Sequence, residues 1–550
     1  MLNYNWHIRV IKLIIPVFIF MGMTGCFQET SQKYEDDFRS VQPPQTKKLV
    51  FGLANDSITL DPANATDSES FKVTVNIFET LVEYKEDGNG IKPCLATNWE
   101  VSEDGLTWIF YLRQGVRFHD GSPFDAYAVE FNFHRWMNSD HPYHTGKFYY
   151  WYYIFSGFPG LVKEVEALSD YAVRIVLAKP YAPFLNILAM PAFGIASPRA
   201  IKKHGEKFST SPVGTGPFSF KKWEKNHSIS LTANKNYWGK FPYIDQLEFK
   251  VIPDKKDRLK ELENGTVHII DGLNPDDVVR IEKNPQLRLY LRPSFNVGFL
   301  AMNMRKKPFD NRKLRLALSH AINKDRIIEE VFNNLAKPAK NLIPPLLWGY
   351  NDDIQPYEYD PEKSKRLLRE AGYPLGFKTT LWVMAQPRPY FPDPCLIAHY
   401  IQRDLQHVNI DVEIKVFEWK TYLNKIKNGE HEIALIGWTG DIRDPDNFLY
   451  TLLGPENAQP GRAGNFSFYT DEEVDRLLTR ARQIFDLSFR KHLYRRLQEK
   501  IHEDVPVIPL VHSMPVLAAH RSVKGYRPLI TGIESFDSVY IDTSTKIKTE

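Results

Sequence analysis

Apolar positions along the body of this chain recur in two periods, and segments of the two kinds alternate. Residues 48–53 form a short apolar run that predicts a first strand. Phe71, Val75, Phe78, Leu81 and Val82 fall at helical spacing and predict a helix over 71–84. Alternation on either side of a Glu-Asp-Gly turn predicts a hairpin over 98–112. A helix is expected over 123–136, strands over 166–177, 228–233 and 247–252, and a helix over 255–264. Amphipathic helices follow at 313–322 and 361–371, the second stopped by Gly372 and Pro374. Two more are expected at 472–486 and 489–505. Strands alternating with helices in this way define an α/β body with mixed sheets and inserted hairpins.

The N-terminus is patterned differently. His7, Arg9 and Lys12 form a basic lead to an apolar run over residues 13–23, followed by Thr24, Gly25 and Cys26. A membrane span needs about 20 apolar residues, so this shorter run fits a secretory leader. Small residues directly before Cys26 resemble the lipobox of bacterial lipoproteins, with Met23 where leucine is usual. The resemblance implies that residues 1–25 are a signal peptide and Cys26 the lipidated residue; the alternative is an ordinary secretory signal with an incidental Cys26. Residues 26–46 are a polar tether with Pro43 and Pro44 and no apolar period.

Composition narrows the function classes. A chain of 550 residues exceeds one compact core and implies two or three domains. A net charge of +3 gives no reason to expect nucleic acid or an anionic surface as partner. Beyond Cys26 only Cys94 and Cys395 remain, far apart in sequence, and both are expected as free, mostly buried thiols. The aromatic run over 148–153 reads as core packing. His141 with His144 and His119 with Asp120 make no tight chelating cluster, so no metal and no cofactor are expected. No nucleophile elbow, phosphate loop or His-Glu-x-x-His motif occurs, which argues against an enzyme.

Two loops carry the chemistry. The strand-like run 432–436 leads into a glycine-bordered loop with Trp438, Thr439, Gly440 and Asp441. The run 379–384 leads into a proline-stiffened loop with Arg388 and Tyr390. One anionic and one cationic loop at strand ends suit both ends of a zwitterion: an amine on the carboxylate, and a carboxylate on the bidentate guanidinium. A short peptide is such a ligand. Asp444 and Asp446, further along the first loop, read as solvated or capping residues.

Five blocks at residues 95–124, 212–223, 308–327, 359–374 and 437–453 resemble the peptide- and nickel-binding extracellular solute-binding proteins of ABC importers, family 5. The last block with Arg388 resembles the dipeptide branch. Tyr127 and Ala128 replace the acidic pair usual after the His-Asp-Gly turn, and a Cys pair of some relatives is missing after Leu453. The resemblance implies a two-lobe periplasmic-binding-protein (type II, Venus-flytrap) fold with mixed sheets and an extra inserted subdomain. Lobe I would be residues 47–296, with the subdomain at about 85–205; lobe II would be 297–509, and 510–550 would return to lobe I. The chain would cross near 293–296 and near 506–509.

The resemblance further implies that Asp441 binds the peptide amine and Arg388 the terminal carboxylate. Tyr390, Trp419, Trp438 and Thr439 would line the space between, with Thr66 and Ser68 approaching from lobe I. An extended dipeptide spans about 7 Å, so two fixed charges select length. The partners implied are a short peptide, an ABC permease with its ATPase, and the membrane through Cys26. A monomer at the periplasmic or extracytoplasmic face is expected. A murein peptide, haem or longer oligopeptide on the same scaffold, and a non-transport signalling receptor, are the alternatives.

Overall fold

In the computed structural model, residues 48–85, 90–155 and 160–542 are described. The leader, Cys26 and the tether lie outside the described residues. Two large sheets organise the body. The first has seven strands, in the order Leu287–Leu291, Val516–His520, Ile269–Leu273, Lys48–Leu53, Gln246–Val251, Ser228–Ala233 and Phe218–Glu224. Its period-two pattern sorts side chains to opposite faces: Leu49, Phe51 and Leu53 join one apolar cluster, and Val50 joins the other.

The second sheet has six strands, in the order Ala336–Pro338, Val507–Ser513, Asn296–Met302, Ile433–Thr439, Phe377–Met384 and Ile410–Phe417. Strand Asn296–Met302 is buried at every position, as a central strand covered on both faces must be. Ile433–Thr439 runs antiparallel to it and parallel to Phe377–Met384. The two loops singled out in the sequence therefore leave neighbouring strands at the same end of one sheet.

A smaller antiparallel sheet, Ala96–Val101, Thr107–Leu112, Ala172–Leu177 and Val162–Ser169, stands apart with its own core. Trp108, Phe110, Trp136, Trp151 and Phe193 fill that core. Helix Ala126–Met137 closes it, started by the Asp125 carboxylate accepting from the Ala128 N–H at 2.8 Å.

Most sequence-derived elements fall within three residues of those observed. Two differ by more. The helix expected over 71–84 spans only Ser68–Thr74. Segment 214–218 crosses just beyond it, with the Gly216 N–H donating to Ile77 O at 2.9 Å and the Phe218 N–H to Asn76 O at 3.0 Å. A Cβ at Gly214 would sit 2.2 Å from Ile77 O, so glycine is required for that approach. The strand expected over 166–177 is a hairpin, Val162–Ser169 and Ala172–Leu177, turning at Asp170 and Tyr171. Cys94 is buried and Cys395 half-buried, both free. Among the described residues no helix is long and apolar enough to cross a membrane.

The chain passes between the two large sheets twice. The first passage, residues 292–295, leads into Asn296–Met302. The second lies at Met514 and Pro515, because Val507–Ser513 pairs within the six-stranded sheet. The expected crossing near 506–509 is thus displaced: 507–509 are strand residues. The passages are tied to each other. The Arg292 N–H donates to Pro515 O at 2.9 Å, and its guanidinium meets Glu534 at 2.7 Å. The buried Asn296 carboxamide accepts from Ser513 N at 3.1 Å and donates to Ser513 O at 3.2 Å. His512 donates from Nδ1 to Asn296 O at 2.7 Å; burial holds its imidazole down to about 4, so it is neutral.

Removing the Asn296 carboxamide strands buried backbone groups of Ser513. Asn296→Ala is expected to lower stability by roughly 2–4 kcal/mol. Urea unfolding reads this out; an unshifted midpoint would show that the clasp carries no weight.

Candidate functional site

The Asp441 loop is held by its own acids. Asp444 is fully buried and takes a two-pronged ion pair from Arg490, at 2.9 and 2.8 Å, on helix Leu487–Asp504. Asp446 is buried against Arg482 at 3.1 Å. The expectation that these two acids are solvated is therefore wrong: each is a buried anchor with its own arginine. Asp444 also caps locally, accepting from the Asp446 N–H at 3.0 Å. Ile442 points the other way and packs into the core of the small sheet.

Ahead of these anchors Asp441 is half-buried, and among the described residues it forms no ion pair. Its backbone N–H donates to Asn447 Oδ1 at 2.8 Å. Its carboxylate accepts from the Tyr150 hydroxyl at 3.2 Å. Burial pushes the carboxyl up to about 6, against the pull of hydrogen bonds from Tyr150 and Asn447. Gly440 is buried, with its N–H on Phe295 O at 2.9 Å; a Cβ there would lie 2.4 Å from the Phe295 ring. Thr439 and Trp438 are half-buried, and the Trp438 indole donates to Asn447 Oδ1 at 3.1 Å.

The Arg388 loop is closed by a reciprocal pair of backbone bonds between Arg388 and Phe391, both 2.9 Å. Its guanidinium lies 3.7 Å over the Trp419 ring. It makes no ion pair among the described residues, and its buried Nε has no hydrogen-bond partner there. Gln386 fixes Trp419 by accepting its N–H at 2.9 Å. Pro389 O accepts from the Ser513 hydroxyl at 2.5 Å, which ties this loop to the second passage. Tyr390 is buried: its ring packs where a Cβ of Gly437 would be and edge-on to Phe391 at 5.3 Å, so it shapes the wall from behind.

Thr66 and Ser68 are exposed on either side of Asp67, whose carboxylate caps helix Ser68–Thr74 through the Ser70 N–H at 2.8 Å. Phe71 of that helix meets the Tyr150 ring at 5.8 Å, which brings this loop towards Asp441 through one shared side chain.

Sequence reasoning missed Tyr150, Asn447, Arg482 and Arg490. The run 148–153 is core only in part: Phe148, Trp151 and Phe155 are buried, whereas Tyr149, Tyr152 and Tyr153 are exposed and Tyr150 faces Asp441. The buried three follow i, i+3, i+7 spacing, a helical signal that would have separated the two faces.

Residues 90–460 match the bacterial extracellular solute-binding proteins, family 5, middle region, and the chain belongs to that family. The dipeptide-binding protein of Escherichia coli (strain K12) is 38% identical over 511 residues, 90% of this chain and 95% of its own length. Heme-binding protein A of Haemophilus influenzae is 36% identical over 534 residues, 94% of this chain and 97% of its own. A solved structure of the ABC transporter-associated periplasmic binding protein DppA from Helicobacter pylori, in complex with peptide STSA, aligns with a TM-score of 0.78 at 38% identity. It covers 90% of this chain and 98% of that one. The fold is that of type II periplasmic binding proteins, α/β with two lobes, and the family is one of solute binders and not of enzymes.

Two predictions follow from these charges. Arg490→Ala strands the Asp444 carboxylate in the core and is expected to cost about 3–5 kcal/mol in urea unfolding, with Asp444→Asn in the same chain recovering part of it. Asp441→Asn should do the opposite. A carboxyl whose folded pKa is raised holds its proton more tightly when folded, so wild-type stability falls as pH rises from about 4 to about 6. The amide does not ionise, so above about pH 6 the variant is expected to be more stable by about 1–3 kcal/mol, with the gain gone below about pH 4. Thermal melts across pH measure it; a variant less stable at pH 7 would refute it.

Proposed function

We propose that this chain is the solute receptor of an ABC importer, that it captures short peptides, dipeptides foremost, and that it hands them to a permease driven by an ATPase. Asp441 takes the ligand's amine and Arg388 its carboxylate. One observation carries the reading. Asp444 and Asp446 each own an arginine, whereas among the described residues Asp441 beside them forms no ion pair, nor does Arg388 across the same sheet end. An uncompensated carboxylate and an uncompensated guanidinium are costly to bury, and a zwitterion compensates both at once. The relatives named for dipeptide binding and the one solved with peptide STSA support a peptide ligand. Trp438, Thr439 and Trp419 line the path between the charges, with Thr66 and Ser68 closing from lobe I.

In this reading residues 48–296 and the return after 514 move as one lobe against 297–513, about the passages at 292–295 and 514–515. The protein works as a monomer, held by lipid on Cys26 at the extracytoplasmic face of a membrane. A second ligand reading, haem, is favoured by the Haemophilus influenzae relative.

Calorimetry on the chain from residue 27 onward, which includes the whole folded body, tests this with Ala-Ala, tri-Ala and N-acetyl-Ala-Ala. Ala-Ala is expected to bind, acetylation and Asp441→Ala to abolish binding, and tri-Ala to bind more weakly. Because the carboxylate must be ionised and the ligand's amine protonated, affinity should peak at about pH 7, fall about tenfold per unit between roughly pH 6 and 4, and fall again above about pH 8 as the amine loses its proton. Silence with all three peptides and a Soret shift on adding haem would replace the peptide reading with the haem one.

A further inference from the structure

A small cavity of about 30 Å³ lies among residues 319–509, and none of the residues placed in the peptide site lines it. Leu342, Leu449, Ile501, Val507 and Ile508 form its apolar wall. Lys324, Lys340 and His502 bring nitrogen to it, and among the described residues no aspartate or glutamate lines it.

The two lysines differ. Lys340 has its own acid: its ammonium meets the exposed Asp352 carboxylate at 2.9 Å and the Asp352 carbonyl at 2.6 Å. Lys324, the first residue of helix Lys324–Phe332, donates to Ala339 O at 2.9 Å and forms no ion pair among the described residues. Its other two donors have no protein acceptor there. Burial pulls this ammonium down to about 8, against the opposing charge of Asp325, its neighbour in sequence. His502 and His512 both feel it and are neutral: burial holds each down to about 4, and Lys324 adds to that. The Gln498 amide is taken, accepting from Asn351 N at 3.0 Å and donating to Gly349 O and Tyr494 O, both at 2.8 Å. Tyr357 donates to His502 O at 2.8 Å and lies flat on the His502 ring, 4.2 Å away.

Size and sign then fix what can complete the surroundings of Lys324. About 30 Å³ holds one small body: a water fits, whereas a phosphate or a carboxylate group does not. A water leaves the ammonium uncompensated in its apolar setting, which is costly; an anion of the same size compensates it. We propose that this cavity is a halide site that takes chloride, with Lys324 as its principal ligand and Lys340 and His502 at its edge. Its position gives the ion a structural role. Ala339, whose carbonyl takes Lys324, donates its own N–H to Leu510 O at 3.0 Å. There strand Val507–Ser513 slips register against Asn296–Met302. The ion braces helix Lys324–Phe332 against the strand that ends at the Asn296 clasp. It binds the charged amine, so its hold is full below about pH 7 and weakens about tenfold per unit above about pH 8.

Chlorine-35 line widths of sodium chloride solutions containing the chain from residue 27 onward test this, together with bromide-soaked crystals. The protein is expected to broaden the line saturably, with bromide displacing the effect and a rise in pH from 7 to 9 removing most of it. Lys324→Met should weaken chloride binding at least about tenfold. Lys378→Met, at a lysine whose side chain is 88% exposed, should leave it unchanged. In the crystals an anomalous bromide peak is expected between Lys324 and Ile508. Equal broadening by the wild type and a folded Lys324→Met variant, or a cavity without a bromide peak, overturns the site and leaves a water there. Should Lys324→Met not fold, the bromide peak and the pH profile of the unaltered protein decide alone. Peptide binding enters none of these readouts, so the site stands or falls apart from the peptide reading.

Discussion

The Asn296 carboxamide is where the geometry of this protein is decided. It joins the start of one inter-sheet passage to the end of the other through Ser513, with a donor and an acceptor both satisfied in a buried setting. Ser513 in turn donates to Pro389 O, one residue from Arg388. On the other side of Asn296, Phe295 packs against Gly440, one residue from Asp441. The cationic and anionic loops are thus both fastened to the place where the chain passes between its lobes. Their separation is set by a strand register and one side chain, and not by the loops' own preferences.

The acids of residues 441–446 show how a rigid loop can still present an open valence. Two of the three are neutralised by arginines from helices Glu472–Gln483 and Leu487–Asp504. That fixes the backbone just after Asp441, while the Gly440 N–H on Phe295 O holds it just before, so in the proposed clamp little ordering would remain to be done at binding. The third acid, left with a phenol and an amide for company, keeps a raised proton affinity and an unfilled electrostatic demand. Arg388 is the mirror case, its face covered by Trp419 and its Nε unmatched.

Much of the fold was legible because long periodic segments report their own structure. Lys48–Leu53, Ser228–Ala233 and the helices of the C-terminal third were read within three residues from pattern and caps. Residues 75–84 were misread because the override is tertiary: backbone of segment 214–218 claims Asn76 and Ile77, and only glycines at 214 and 216 allow it. The hairpin at Asp170 lacked the glycine or proline that usually marks a turn. Asp441 and Arg388 were legible as a pair of opposite charges at strand ends. The arginines that neutralise Asp444 and Asp446 were not, since 36 to 46 residues of sequence separate partners that only packing joins. Tyr150 was hidden inside a run whose other members are half core and half surface.

The hydrogen bond from Tyr150 to Asp441 has one more consequence. If Asp441 takes a ligand's amine as proposed, one of its oxygens already accepts from a neutral donor of the small-sheet subdomain. A ligand amine would then share the carboxylate with a phenol. Water and uncharged donors offer no more than the phenol already gives, whereas a full positive charge does. In that reading the carboxylate ranks its donors by formal charge, with one oxygen held by the phenol and the rest of its acceptor capacity left to the ligand.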